Sequence, residues 1–520
     1  MDRTVLLGNE AVARGIAESG CRVAAGYPGT PSTEILEAVR HGAPGIAAQW
    51  SPNEKVALEV AYGACIAGAR AVAVMKHVGL NVAADPLFTF AYAGVNAGLV
   101  IVDADDPGQW SSQNEQDNRH YARHAKVPML EPASPEEARC FVKRAFELSE
   151  EHDCPVIVRL TTRIAHSRAL VGSAPREDPA PRPFPRDPRK YVMIPAHGRE
   201  RHSVLEKTME RLREVSDTTD LNRLELTSTR RGIICDAVAY QYVRETCPED
   251  SILKIGMVWP LPDALIRRLA EHVAELAVVE ELDPFIEEHV RALGIAVALG
   301  KDRLPRCGEL NADLVDAALN GRAPARVHPE PPFALPPRLP ELCGGCPYAM
   351  VFAALRELDL NVFGDIGCYT LGALEPHGAM HTQASMGASV GMHLGAEKAD
   401  AGQARRSVAV IGDSTFIHSG ITGLIDLVYN QGTGTVIVLD NRTTAMTGHQ
   451  DHPGTGRTLR GEPTACLDLA AVARAVGVRR VRVIDPVAEE GLQQMIAEEV
   501  AAPEPSVIIV TRPCLLLNKT

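Results

Sequence analysis

One segment constrains this chain more than any other: SVAVIGDSTFIHSGITGLIDLVYN, beginning at Ser407. Its apolar run from Val408 to Ile411 predicts a buried strand, which ends in Gly412-Asp413-Ser414 before a helix begins. A second run, VIVLD, leads into Asn441, 28 residues after Asp413, enough for one helix and the next strand of a parallel pair. An Asp and an Asn are therefore expected together at the carboxyl edge of an open α/β sheet. Ligands bind at that edge, because helix N-termini there offer backbone donors to phosphate. A carboxylate, an amide oxygen, a backbone carbonyl and phosphate oxygens make a hard octahedral site suited to Mg²⁺. Gly-Asp-Ser alone is also compatible with a plain strand-to-helix turn capped by Asp413. The Asn at this distance favours the metal.

The same βα alternation runs through the rest of the chain. Residues 8–19 read as a helix and Val23 to Ala25 as a short strand; GYPGTPS then turns into a helix with Ser32 as N-cap and Glu34 close behind. Glu54 to Ala69 has helical periodicity. Ala71 to Met75, Leu99 to Val102 and Val156 to Leu160 read as strands buried on both faces. Residues 1–173 thus form one α/β domain. From Ala174 to about Arg201 the run APREDPAPRPFPRDPRK favours extended backbone, so 174–228 reads as a surface linker and a helical connector over about 202–225. A second α/β domain, 229–327, has expected strands at Arg231–Cys235, Ile252–Ile255 and Leu276–Glu280. Pro-rich sequence at 328–340 separates it from a third, 341–520, with strands at Ser407–Ile411, Thr435–Asp440 and Ser506–Val510.

Length agrees with this division, since 520 residues suit three or four domains. A net charge of −13 speaks against nucleic-acid binding, which needs a clustered basic surface. The N-terminus lacks a secretory pattern and no apolar run approaches bilayer length, so no membrane partner is expected. Twelve scattered cysteines, with C-x-x-C only at Cys343 and Cys346, fit reduced thiols in cytoplasm.

The Gly-Asp-Ser…Asn layout resembles the thiamine diphosphate signature. By that resemblance the backbone of Thr443 joins Asp413 and Asn441 as metal ligand, and Gly412 and Ser414 also meet the cofactor. Such catalysis needs a carboxylate hydrogen-bonded to N1′ of the aminopyrimidine. Glu54 in WSPNEKVALEVAYGA is the candidate, although alone it also reads as a helix-N-terminal carboxylate favoured by the dipole. The segments LLGNEAVARGIAESG, GYPGTPS, NEKVALEVA, MKHVGLNVAADPL, SSQNEQDNR, GDIGCYTLGALEP, MGASVGM, GDSTFIHSG and NRTTAMTGHQ resemble the large subunit of indolepyruvate:ferredoxin oxidoreductase, over almost the whole chain.

That resemblance implies three doubly wound α/β domains: pyrimidine-binding, transketolase-C-terminal-like and diphosphate-binding. It implies oxidative decarboxylation of a 2-oxo acid, indolepyruvate or another arylpyruvate, with coenzyme A taking the acyl group. A smaller beta subunit, a dimer of heterodimers and a separate electron acceptor follow from it too. It brings Thr30 to cofactor and substrate, with Pro28 and Gly29 shaping the turn, and lays Gly367, Cys368 and Tyr369 over the cofactor, where packing equally explains Cys368. Lys76 and His77, following a buried strand, read either as a solvated loop pair or as groups holding the substrate carboxylate. Gln113 and Asn114 are further polar loop candidates.

Two departures from the family stand out. Its large subunit commonly continues into a ferredoxin-like segment with C-x-x-C-x-x-C-x-x-x-C-P. Here the sequence ends IIVTRPCLLLNKT, with Cys514 the only cysteine beyond Cys466. With Cys343 and Cys346 as a half-site at most, the expectation is no iron–sulfur cluster in this chain and a partner carrying iron–sulfur, with or without flavin. The family's C-P-G-C-P-H-R also reads C-G-G-C-P-Y-A, so Tyr348 and Ala349 stand where His and Arg are usual, and a difference in proton handling or in substrate preference is expected. The alternatives are a non-oxidative decarboxylase or lyase, and a catalytically silent scaffold, against which intact Glu54, Asp413 and Asn441 speak.

Overall fold

A computed structural model describes residues 3–322 and 340–517, so the boundary expected at 328–340 lies outside the described residues apart from Pro340. The chain divides into two compact units, residues 1–330 and 331–520.

The first unit is built on a seven-stranded sheet. Its strands run Met257–Trp259, Met129–Leu130, Val156–Thr161, Leu99–Asp105, Ala71–Lys76, Val23–Gly26 and Ala47–Trp50, all neighbours parallel except the first pair. A four-stranded sheet, Glu275–Val279, Arg231–Asp236, Ser251–Ile255 and Arg223–Glu225, belongs to the same unit. The two expected domains share one apolar core, in which Leu58, Met75 and Ile101 cluster with Ile234, Leu253 and Phe285. Strand Met257–Trp259 is the reason: it follows Ser251–Ile255 after Gly256 alone and pairs with Met129–Leu130 of the larger sheet. Helices Gly8–Glu18 and Pro135–His152 approach so closely that a side chain at Gly15 would come 2.5 Å from the carbonyl oxygen of Arg139.

Charge is buried here as well. Arg119 donates to Asp117 (2.6 Å), Asp236 (2.9 Å) and Glu280 (2.7 Å), tying the two sheets of the unit together. Arg159 pairs with Asp105 at 2.7 Å and with Glu131. Such a network holds only because each guanidinium is surrounded by acceptors.

Two expectations change in this unit. The connector helix spans Pro195–Thr218 rather than 202–225, starting on a proline that is pre-organised for a first helical position. The linker before it is no loose crossing, since Glu177 N–H donates to Glu18 O and Arg182 N–H to Gly68 O.

The second unit carries a five-stranded parallel sheet in the order Asn361–Phe363, Ser407–Gly412, Thr435–Asp440, Ser506–Thr511, Arg480–Ile484. Its strands alternate faces with period two. Val408, Val410, Ile437, Leu439, Ile508 and Val510 pack with the helices Tyr348–Glu357 and Leu492–Val500. Ala409, Ile411, Val436, Val438, Val507 and Ile509 pack on the other side with Ala388–Ala399, Ile421–Tyr429 and Leu469–Ala475. Each fully buried Val or Ile contributes about 1.5–3 kcal/mol, and the doubly covered sheet holds its carboxyl edge rigid.

Candidate active site

In the first unit the expected residues gather at the carboxyl edge of the larger sheet. Glu54 opens helix Glu54–Ile66, behind Asn53, whose side chain caps it by accepting from Val56 N–H at 2.9 Å. The Glu54 side chain is buried against Gly79, where a Cβ would meet its Oε1 at 2.6 Å. Lys76 ends its strand and His77 begins helix His77–Val82; at 9% and 0% exposure they are no solvated loop pair. Lys76 Nζ donates to Ser111 O (2.9 Å) and Ser112 Oγ (2.8 Å), and its stem packs on Gly29, which has no room for a side chain there. Burial pushes the Lys76 pKa down to about 8, against the pull of Asp106 and then Glu54. Burial also lowers that of His77, whose Nε2 lies 3.1 Å from Asn114 Oδ1.

The YPGTPS turn sits beside them. Pro28 and Gly29 are buried and Thr30 is half-buried. Ser32 occupies the N-cap position but does not cap: its hydroxyl donates to Gly29 O at 2.8 Å, while Thr33 Oγ1 accepts from Gly29 N–H at 2.9 Å. The turn is thus closed on itself rather than onto the helix. Asn114 joins the group through His77, and Gln113 is exposed.

In the second unit Asp413 and Asn441 follow adjacent parallel strands in register, Gly412 opposite Leu439. Gly412 is required by close approach, since a Cβ would come 2.7 Å from the Tyr369 ring. Asp413 is buried; its Oδ1 accepts from Ser414 N–H at 2.8 Å and its Oδ2 from Arg442 N–H at 2.9 Å. Arg442 reaches it with φ of +61°, a conformation non-glycine residues seldom adopt outside functional turns. Asn441 Oδ1 accepts from Thr443 N–H at 3.1 Å, and Ser414 Oγ accepts from Thr444 Oγ1 at 3.0 Å. Asp440 rises to about 6 through burial and the charge of Asp413. The helix after Asp413 opens into a π-helical turn at Phe416–Gly420, a distortion frequent at functional sites. The Asp413 carboxylate, the Asn441 amide oxygen and the neighbouring hydroxyls are hard oxygen donors of the kind that suits a magnesium diphosphate.

The thiols are the largest surprise of the site. Cys343 and Cys346 do not stand alone: with Cys368 and Cys514 they line one cavity of about 100 Å³, which Asn441 also borders. Burial, then Cys514, Cys346 and Cys343, push the Cys368 thiol up to about 11. No three of them lie within 4.8 Å of one another. That is too open for a single tetrahedral ion, whose sulfurs stand about 3.8 Å apart at a Zn–S distance of about 2.3 Å. Gly367 begins the turn that carries Cys368, and the Cys368–Ala373 turn leads to Tyr369, whose hydroxyl donates to Ile366 O at 3.0 Å. Tyr348 is buried and its hydroxyl donates to Leu439 O at 3.3 Å; burial and then Asp413 raise its pKa, so it stays a neutral phenol.

Fold and site together define a thiamine diphosphate-binding α/β protein. Residues 14–213 match the family model for pyruvate flavodoxin/ferredoxin oxidoreductase, thiamine diP-bdg, and residues 365–510 that for the thiamine pyrophosphate enzyme, C-terminal TPP binding domain. A solved 2-oxoglutarate:ferredoxin oxidoreductase from Magnetococcus marinus shares the fold, with a TM-score of 0.52 at 17% identity over 62% of this chain and 65% of that one. Indolepyruvate oxidoreductase subunit IorA of Archaeoglobus fulgidus is 39% identical, and that of Methanothermobacter marburgensis 40%, each over 99% of this chain and 87% of the relative. The chain belongs to the indolepyruvate oxidoreductase subunit IorA family, among the oxidoreductases that act on 2-oxo acids.

Proposed function

We propose that this chain binds thiamine diphosphate through magnesium held by Asp413, Asn441 and the Thr443 carbonyl, and oxidatively decarboxylates an arylpyruvate such as indolepyruvate. The observation that carries the reading is the placement of Asp413 and Asn441, both buried, at the ends of adjacent parallel strands. Residues 1–173 carry the groups suited to the pyrimidine, and 341–520, separately, those suited to the magnesium diphosphate. When bound, the cofactor supplies a carbanion nucleophile and an electron sink for decarboxylation.

The chain's own groups do the rest. Glu54 turns its carboxyl group to the pyrimidine ring, kept out of bulk water by its burial on Gly79. Lys76 and the Thr30 turn, with Pro28 and Gly29, orient the substrate carboxylate, and His77, fixed by Asn114, stands beside them. Gly367, Gly412 and Ser414 let backbone approach the cofactor. Coenzyme A accepts the acyl group; it is also bound in the solved 2-oxoglutarate:ferredoxin oxidoreductase named above. Electrons leave singly, and the four-thiol cavity bordering Asn441 supports a four-cysteine iron–sulfur cluster inside this chain. We propose this cluster in place of the expectation that every cluster lies on a partner. A smaller subunit and an acceptor protein complete the enzyme.

The test is anaerobic purification of the chain with its co-expressed smaller subunit. Expected are magnesium-dependent binding of thiamine diphosphate, iron with acid-labile sulfide that is lost in Cys368→Ser, and arylpyruvate oxidation that requires coenzyme A and an electron acceptor. Cofactor binding indifferent to magnesium would overturn the site. Aldehyde release without acceptor or coenzyme A would establish the non-oxidative decarboxylase instead.

A further inference from the structure

The loop after Asn441 folds back on the site. Thr444 N–H donates to Gln450 O at 3.0 Å, and Thr455 N–H to His452 O at 2.8 Å, so the segment between them closes over the strand ends. Its last turn buries His452, which is 6% exposed. The ring lies between two partners: Nε2 is 3.1 Å from Oδ2 of Asp413, and Gly454 N–H donates to Nδ1 at 3.1 Å. Gly454 is required there, since a Cβ would stand 2.9 Å from His452 Cε1.

The backbone donor fixes the tautomer. Because Nδ1 accepts, the ring proton sits on Nε2 and is given to the carboxylate. Oδ2 of Asp413 then receives two donors, His452 Nε2–H and Arg442 N–H, which use both its acceptor positions. Oδ1 receives one backbone donor, from Ser414 N–H. We propose that His452 is a positioning residue for the cation of the diphosphate site: it saturates Oδ2 so that Asp413 presents Oδ1 alone as a single, oriented ligand. The inference rests on the reading of Asp413 as a metal ligand given above. Outer groups of this kind typically change metal affinity by about 10–100-fold when removed.

Two substitutions of similar volume separate the donor from the packing. His452→Met removes the donor; His452→Gln keeps an N–H near the position of Nε2. Each is made in the full chain with its smaller subunit. Free Mn²⁺ is counted by electron paramagnetic resonance while the ion is titrated at saturating thiamine diphosphate, and the KM for the 2-oxo acid is measured alongside. The expected result is a 10–100-fold weaker Mn²⁺ affinity in the Met variant, recovery to within about threefold in the Gln variant, and an unchanged KM in both. Mn²⁺ binding in His452→Met equal to that of the unaltered protein overturns the proposal, as does a Gln variant as weak as the Met variant. Asp413→Ala is the control for the underlying reading: if it binds Mn²⁺ normally, the metal site itself is misassigned, whatever His452 does.

Discussion

Lys76 shows how one side chain can be drawn two ways by pH. Its ordinary pKa of 10.5 falls to about 8 in the folded chain, because burial penalises the ammonium. A folded value below the unfolded one means the unfolded state binds more protons between these limits, so this group's contribution to stability rises from about pH 8 to about pH 10.5. Recognition of a carboxylate needs the opposite form. The KM for the 2-oxo acid should therefore climb as pH passes about 8, and Lys76→Arg, which stays charged, should flatten that rise even if it raises KM throughout. A pH-independent KM in the unaltered enzyme would remove Lys76 from substrate binding.

At the level of elements, the decisive contacts are those where backbone meets a functional side chain. Helix His77–Val82 passes Glu54 at Gly79, with no space for a methyl group. Alanine is the better helix former by about 1 kcal/mol, but pushing the buried Glu54 side chain aside costs about 1–3 kcal/mol, so the melting temperature of Gly79→Ala should fall only slightly. The substitution should nevertheless cut turnover at least tenfold by displacing the Glu54 carboxylate; calorimetry and steady-state kinetics on one preparation check both halves. The elements themselves were largely legible in the sequence. Val408 to Ile411 and Thr435 to Asp440 are apolar runs ended by Gly or Asx, and both formed strands there. Met129–Leu130 and Met257–Trp259 escaped, because two or three residues carry no period. Ser32 had the right residue type at the right position, yet its hydroxyl bonded backward to Gly29. The four thiols and His452 were illegible for another reason. Cys368 and Cys514 join Cys343 and Cys346 only when three separate loops converge, and His452 reaches Asp413 through a fold-back that no spacing rule encodes.

For the molecule as a whole, buried acid in the first unit sets a pH dependence of its own. Glu281 has no partner for Oε2, while its Oε1 accepts from Leu310 N–H at 2.9 Å, and burial raises its pKa to about 7. A carboxyl raised above its unfolded value favours the fold most below about pH 4.5, and that advantage is lost as pH climbs to about 7. Glu281→Gln should thus stabilise the protein on the order of 2 kcal/mol at pH 8 and hardly at all at pH 5, as read by denaturant unfolding. The route of the chain adds a second consequence. Gly256 alone separates Ser251–Ile255, in one sheet, from Met257–Trp259, in the other, and its carbonyl accepts from Glu131 N–H at 2.8 Å. Neither sheet can open without pulling on its neighbour's ladder. Amide hydrogens at Ile101 and Ile234, in different sheets, should therefore exchange with deuterium at one common slow rate, the signature of a single cooperative unfolding block.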